Sequence, residues 1–373
     1  MGLSTAYNIA KNSDSQVLVL DRYGIGNEYC SSNDVNRVFR YSYGNDELYT
    51  RMAVESLQLW KQLEDESGES LLLGTGLLLL QGEDENANRF NEASFRTLSR
   101  LGLGAEEFGA SELTKRFPQF RAEHAFFDSH GGVLLASKAL GTLQSLAKAR
   151  GVEFLQGQAQ RTLSENSLEV TSGDNRVIEF RKLVSTVGPW TNSLLISGMV
   201  TITPTRQQII YFQPPDGLGH FRPGKCPVFF TDRHYGLPAA GIDAVKVSPK
   251  DLAEPVDPET AKRTVDDEQV AACREACRRF VPGIADGEVF RTKVCLYDMT
   301  ENSDFVLDRS RDQPDIVYGY GFSGHGFKFA PLIGKVLAEM VLDKVPSLNL
   351  DRFSGISLKR RQPTLGAHLG KGE

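Results

Sequence analysis

The chain has 373 residues, with 42 Lys and Arg against 48 Asp and Glu, 40% hydrophobic and 24% charged residues, and a net charge of −6. That length exceeds one ordinary core and fits two domains sharing an interface, while the composition excludes a small disulfide scaffold, global disorder and a fibrous repeat. An acidic balance provides no overall field for a polyanion, so nucleic acid is not the expected partner, and the basic runs Arg274/Arg278/Arg279 and Lys359-Arg360-Arg361 read as solvated faces.

The first helix is expected from Leu3, Ala6, Tyr7, Ile9 and Ala10. A polar break over 12–15 follows, and then an apolar strand, Val17 to Leu20, closed by Asp21. Gly2 and Asp21 stand 19 residues apart, close to the spacing of about 20 between the last glycine of a dinucleotide-binding turn and the acid that holds a ribose hydroxyl. The first strand and first two glycines of such a turn would lie before Met1. A plain helix followed by a strand ending in Asp is the competing reading.

Next come two arginines three apart, Arg37 and Arg40, followed by aromatics, which form either an anion clamp or a solvated pair. Asn45 and Asp46 cap a long helix with core positions Leu48, Met52, Leu57, Trp60 and Leu63. Leu71 to Leu80, broken by Gly74, Thr75 and Gly76, is far shorter than the roughly 20 residues that span a bilayer and is expected to be a strand pair or hairpin. Helices are expected over 83–101, 111–117 and 136–150, with short strands over 152–156 and 182–187, the latter entering the turn Gly188-Pro189-Trp190.

Residues 206–213 and 228–247 read as antiparallel strands and 266–280 as a helix. There Cys273 and Cys277 are either two buried small side chains or a redox pair. The five cysteines (Cys30, Cys226, Cys273, Cys277, Cys295) are odd in number and show no zinc spacing, which fits a reducing compartment. Towards the end a strand over 316–320 leads into the glycine-rich Gly321-Phe322-Ser323-Gly324-His325-Gly326 and a helix over 327–342. No secretory leader is read at the start and no peroxisomal tripeptide at Lys371-Gly372-Glu373, so a cytoplasmic location is expected, with the peroxisome open.

The run Thr292-Lys293-Val294-Cys295-Leu296-Tyr297-Asp298-Met299-Thr300, followed by Tyr320 to Phe329, resembles the monomeric sarcosine oxidase family, which includes pipecolate, saccharopine and fructosyl-amine oxidases. The likeness extends over nearly the whole chain, through the Gly2–Asp21 unit, 36–40, 131–133, 187–191, 235–238 and Lys246. It implies an α/β protein with an FAD-binding Rossmann-type domain, lacking its first strand, in segments 1–70, 130–200 and 292–345. An α+β substrate domain on an antiparallel sheet would occupy 71–129 and 201–291, and 346–373 would be a C-terminal extension.

By that resemblance Cys295 carries FAD as an 8α-S-cysteinyl thioether, helped by basic groups that favour its thiolate. Gly2, Asp21, Gly188, Gly324 and Gly326 hold the cofactor, and the helix after Gly326 points its N–H groups at the flavin. Arg40 and Lys328 bind a substrate carboxylate, Lys328 also touching the cofactor region. Lys246 activates O2, Arg37 lies against the flavin, and Tyr235 and Tyr297 line the substrate pocket.

The implied activity is a monomeric flavin oxidase that converts the secondary amine of an N-substituted amino acid to an imine, with O2 giving H2O2. An oxidative cyclase with the same chemistry, and a non-catalytic flavin fold, are the alternatives. Asn33 and Lys250 stand where sarcosine oxidases have pocket histidines, which argues against sarcosine itself and towards the larger amines of the fungal enzymes.

Overall fold

The computed structural model describes residues 1–161, 166–172, 174–194, 200–250 and 254–360. Lys371-Gly372-Glu373, where no targeting tripeptide is read, and the end of the C-terminal extension lie outside them. The helix Gly2–Asn12 buries Leu3, Ala6 and Tyr7 against the late helix Ala330–Val341. Gly334 permits that approach, because a Cβ there would stand 2.5 Å from the Ser4 Cβ and 2.7 Å from its backbone carbonyl carbon.

The parallel sheet behind these helices comes in two pieces. Leu18–Asp21 pairs in parallel with Glu153–Gln156, and Leu183–Ser185 pairs in parallel with Ile316–Tyr320, which is flanked on its other side by antiparallel Val306–Arg309. Among the described residues no strand pairing joins the two pieces.

The second large unit is an eight-stranded sheet. Its strands run in the order Glu288–Met299, Thr203–Gln213, Val245–Pro249, His234–Leu237, Val228–Phe230, Leu77–Leu80, His124–Asp128, Ala105–Gly109. The expected strands over 206–213 and 228–247 are there, and together with the two-piece parallel sheet they make the mixed α/β architecture read from the sequence.

Of the strand pair or hairpin expected over 71–80, two strands form but do not pair with each other. Leu72–Leu73 pairs with Gly132–Leu134, which also pairs with Arg37–Phe39, whereas Leu77–Leu80 lies between Val228–Phe230 and His124–Asp128. The reason is two-sided burial. Leu78 and Leu80 enter one apolar cluster and Leu77 and Leu79 another, so four consecutive leucines are satisfied only inside a sheet covered on both faces.

The helix Asp267–Phe280 places Cys273 and Cys277 in the cluster formed with Phe212, Phe221 and Phe229. Both are free, and burial pushes the Cys273 thiol up to about 12 and Cys277 higher still, so packing accounts for the pair. Among the described residues no helix is long and apolar enough to cross a membrane.

The helix after the glycine-rich turn begins differently from the expectation of one helix over 327–342. A single 3-10 turn, Phe327–Phe329, precedes the α-helix Ala330–Val341, whose first turn accommodates Pro331. Trp60, fully buried on the helix Glu47–Ser67, donates from Nε1 to the Lys328 carbonyl at 2.8 Å and stacks on Phe327 with centroids 6.1 Å apart. Trp60→Phe removes that donor and leaves a buried carbonyl without it. Urea unfolding should show a loss of about 2 to 3 kcal/mol, and a loss under about 0.5 kcal/mol would mean that the bond does not hold the turn.

Candidate functional site

A cavity of about 1330 Å³ runs along the carboxyl end of the strand Leu18–Asp21, past the amino end of the first helix and under the glycine-rich turn before the helix Ala330–Val341. Its wall contains Gly2, Asp21, Gly188, Gly324 and Gly326 together with Arg37 and Tyr297. Gly324 has φ +75°, and a Cβ there would lie 2.3 Å from the Tyr297 ring, so both backbone conformation and space exclude a side chain.

Asp21 ends its strand with Oδ1 accepting from the Tyr23 N–H at 2.9 Å and Asn27 Nδ2 at 3.2 Å; burial raises its pKa. Deeper in the wall, Asp298 accepts from the Gly321 N–H at 2.8 Å. Burial pushes its carboxyl up to about 6, against the pull of the Phe322 and Gly321 N–H groups.

Beside the cavity lies a charged cluster built on a residue to which the sequence reading gave no role. Asp34, with no exposed side-chain surface, accepts at Oδ2 from Lys246 Nζ at 2.5 Å and from Arg37 Nη1, and at Oδ1 from the Tyr211 hydroxyl at 2.5 Å. Neighbouring strands of the large sheet fix the partners, since Tyr211 stands opposite Lys246 in register. The Asn36 Oδ1 atom, next to the carbonyl that receives Lys246 at 3.0 Å, is buried without a hydrogen-bond partner among the described residues.

Arg37 continues to Cys295, with Nη2 lying 3.6 Å from Sγ and 2.9 Å from the Ser31 carbonyl. The sequence reading expected basic groups to favour the Cys295 thiolate. Arg37, Lys293 and Lys246 do pull the thiol down, and burial pushes it up by more.

A second basic group forms around Tyr43. Arg40 lies with Cζ 4.1 Å from the Tyr43 ring centroid, and Lys328 donates to the Tyr43 hydroxyl at 2.9 Å and to the His325 carbonyl at 2.6 Å. Both cations are buried. Burial pushes Lys328 well down and Arg40 adds to that shift, while among the described residues no carboxylate forms an ion pair with Lys328. Asp128 supports the Arg40 loop by accepting from the backbone of Tyr41 and Ser42. His325 is a packing residue, bonded through Nε2 to the Ser303 carbonyl at 3.0 Å.

Burial raises the phenols of both Tyr235 and Tyr297, and Tyr297 lines the cavity. Asn33 turns back to the carbonyls of Gly26 and Asn27, and Lys250 is buried with Nζ 5.5 Å from the Phe230 centroid.

The structure thus groups the expected site residues into a cavity wall, a cluster around Asp34 and a pair around Tyr43. Asp34, Tyr43, Tyr211 and Asp128 are additions. An acid three residues before Arg37 and a tyrosine three after Arg40 were the available signals; Tyr211 and Asp128 join from distant strands that no local spacing announces.

Residues 1–340 match the family model described as FAD dependent oxidoreductase. The chain is similar to the peroxisomal sarcosine oxidase of Homo sapiens, 33% identical over 99% of this chain and 95% of that one. It is also similar to the monomeric sarcosine oxidase of Bacillus sp. (strain B-0618), 27% identical over 95% and 93%. Among solved structures, NikD, an amino acid oxidase essential for nikkomycin biosynthesis, shares the fold with TM-score 0.80 and 23% identity over 95% of this chain and 94% of its own.

Asp298 yields a pH prediction. Its folded value of about 6 lies above its ordinary 3.8, so its contribution to stability is complete below about 3.8 and is lost as pH rises through about 6. Asp298→Asn keeps an acceptor for Gly321 and removes the titration. Urea midpoints at pH 4 and pH 7.5 should show the cofactor-free variant gaining on the wild type by about 2 to 3 kcal/mol at the higher pH, and parallel pH profiles would refute it.

Proposed function

The chain belongs to the FAD dependent oxidoreductase family, and from that premise we propose that it oxidises the secondary amine of an N-substituted amino acid to an imine, with O2 as acceptor and H2O2 as product. One observation carries the reading. A single cavity brings the start of the first helix and Asp21 together with Arg37, Tyr297 and the glycine-rich turn before Lys328.

The residues fit a flavin dinucleotide. A helix N-terminus and its free N–H groups suit a pyrophosphate, an acid at the end of the following strand suits a ribose, and Gly324 leaves a surface that any side chain would fill. In this reading segments 1–70, 130–200 and 292–345 hold the cofactor and 71–129 and 201–291 shape the substrate side. When bound, the flavin supplies the hydride acceptor and the route for electrons to oxygen.

The protein's own groups do the rest. Arg40 offers a planar fork and Lys328 a point charge for one carboxylate, and that carboxylate would relieve the electrostatic cost of keeping two cations out of water. Lys246 presents a fixed positive charge where oxygen gains electrons. Arg37, held against Cys295, favours the thiolate needed for a thioether to the cofactor, and Cys295 is the residue that forms it. Tyr235 and Tyr297 bound the amine side.

The test is the visible spectrum of the purified protein before and after acid precipitation, for wild type and Cys295→Ala, followed by peroxide production from N-substituted amino acids. A yellow wild-type pellet, absent in the variant, is expected. A colourless wild-type protein would reject the flavin, and a yellow pellet from Cys295→Ala would reject the linkage alone. With a substrate in hand, Lys328→Met should raise KM by about 10- to 100-fold, the loss of one charge-assisted contact. An unchanged KM would move the carboxylate site elsewhere.

A further inference from the structure

We propose that Asp34 is a positioning residue for oxygen reduction, its carboxylate clamping the Lys246 ammonium beside the Arg37 guanidinium and keeping Lys246 charged. The inference rests on the reading of Lys246 given above.

The geometry is that of a filled clamp. Oδ2 receives both cations and Oδ1 receives the Tyr211 hydroxyl and the Val35 N–H, the latter at 2.8 Å, so the carboxylate's acceptor directions are occupied. Two cations beside one acid leave the cluster with one positive charge in excess. The surrounding main chain is held without the acid, since Ser137 Oγ donates to the Asp34 carbonyl at 2.7 Å and the Ala136 N–H to the Val35 carbonyl at 2.9 Å. What the side chain adds is charge and direction.

The groups facing this cluster are Asp34 and Arg37 from the segment before Phe39, Tyr211 from the strand Thr203–Gln213, Tyr235 from His234–Leu237, and Lys293, Cys295 and Tyr297 from Glu288–Met299. Asp34 is the carboxylate among them. Burial, with Arg37 adding to it, leaves the Lys246 ammonium at about 8, and Asp34 is the first group that pulls it back up. Burial also raises the Asp34 carboxyl, and Lys246 and Arg37 more than reverse this, holding it well below the usual carboxylate range. The sign follows directly: with the acid neutralised, Lys246 sheds its proton at lower pH and the charge offered to oxygen disappears near neutrality.

The experiment uses the flavin-loaded protein and sulfite, a small anion whose flavin adduct is negatively charged and therefore reports a neighbouring cation. Sulfite affinity is measured against pH for wild type, Asp34→Asn, Asp34→Glu and Lys246→Met, alongside kcat/KM for oxygen and for the amine. Wild-type affinity should fall about tenfold as pH rises past the Lys246 transition. Asp34→Asn should move that transition down by at least about one pH unit, with kcat/KM for oxygen following it and kcat/KM for the amine unmoved. Lys246→Met should abolish the transition, and Asp34→Glu should restore it; cofactor loss confined to Asp34→Asn also supports the clamp. An unmoved transition in Asp34→Asn, equal displacement or cofactor loss in the Asn and Glu variants, or a transition surviving in Lys246→Met would overturn it. A wild-type chain without flavin absorbance overturns the functional reading and the inference with it, whereas a loaded chain with an unmoved transition overturns the inference alone.

Discussion

Keeping positive charge out of water is the constraint on which this structure turns. Lys246, Arg40 and Lys328 are buried and Arg37 is nearly so, and each would be driven into water or lose affinity for its proton without a scaffold holding acceptors close by. For Lys246 and Arg37 that scaffold is Asp34. For Lys328 it is a phenol and a carbonyl, which accept hydrogen bonds without cancelling charge. The first arrangement stores a cation in a settled state, and the second leaves one that gains from an incoming anion.

Such placement demands a stiff support, and the eight-stranded sheet supplies it. Lys246, Tyr211 and Cys295 sit on three adjacent strands, with Tyr211 opposite Lys246 and Gln207 opposite Cys295 in register. A one-residue slip would turn all three to the other face. The apolar clusters on both sides of this sheet therefore fix the charged groups as well as the core.

Much of this was legible in the sequence wherever a pattern was local. The first helix and strand, the capped helix Glu47–Ser67 and the glycine-rich turn before the helix Ala330–Val341 each announced themselves by spacing over a few residues, and the motifs around Arg37, Cys295 and Lys328 supplied most of the candidate residues. Two kinds of feature escaped. The leucines of 77–80 looked like half a hairpin because four consecutive apolar residues do not reveal which strands cover them. Asp34 stood in plain view in the Asn33-Asp34-Val35-Asn36-Arg37 run, yet its role depends on Tyr211 and Lys246, some 180 and 210 residues away in the chain. At Cys295 the basic neighbours can be read from sequence and the depth of burial that opposes them cannot.

The cavity has a consequence for the folded state as a whole. Strands Leu18–Asp21 and Leu183–Ser185 both border it, so a ligand that fills it touches two distant stretches of the chain at once. Binding then contributes directly to the free energy of the folded state. The measured stability of this protein is therefore a property of the chain together with its ligand, and it changes with ligand concentration.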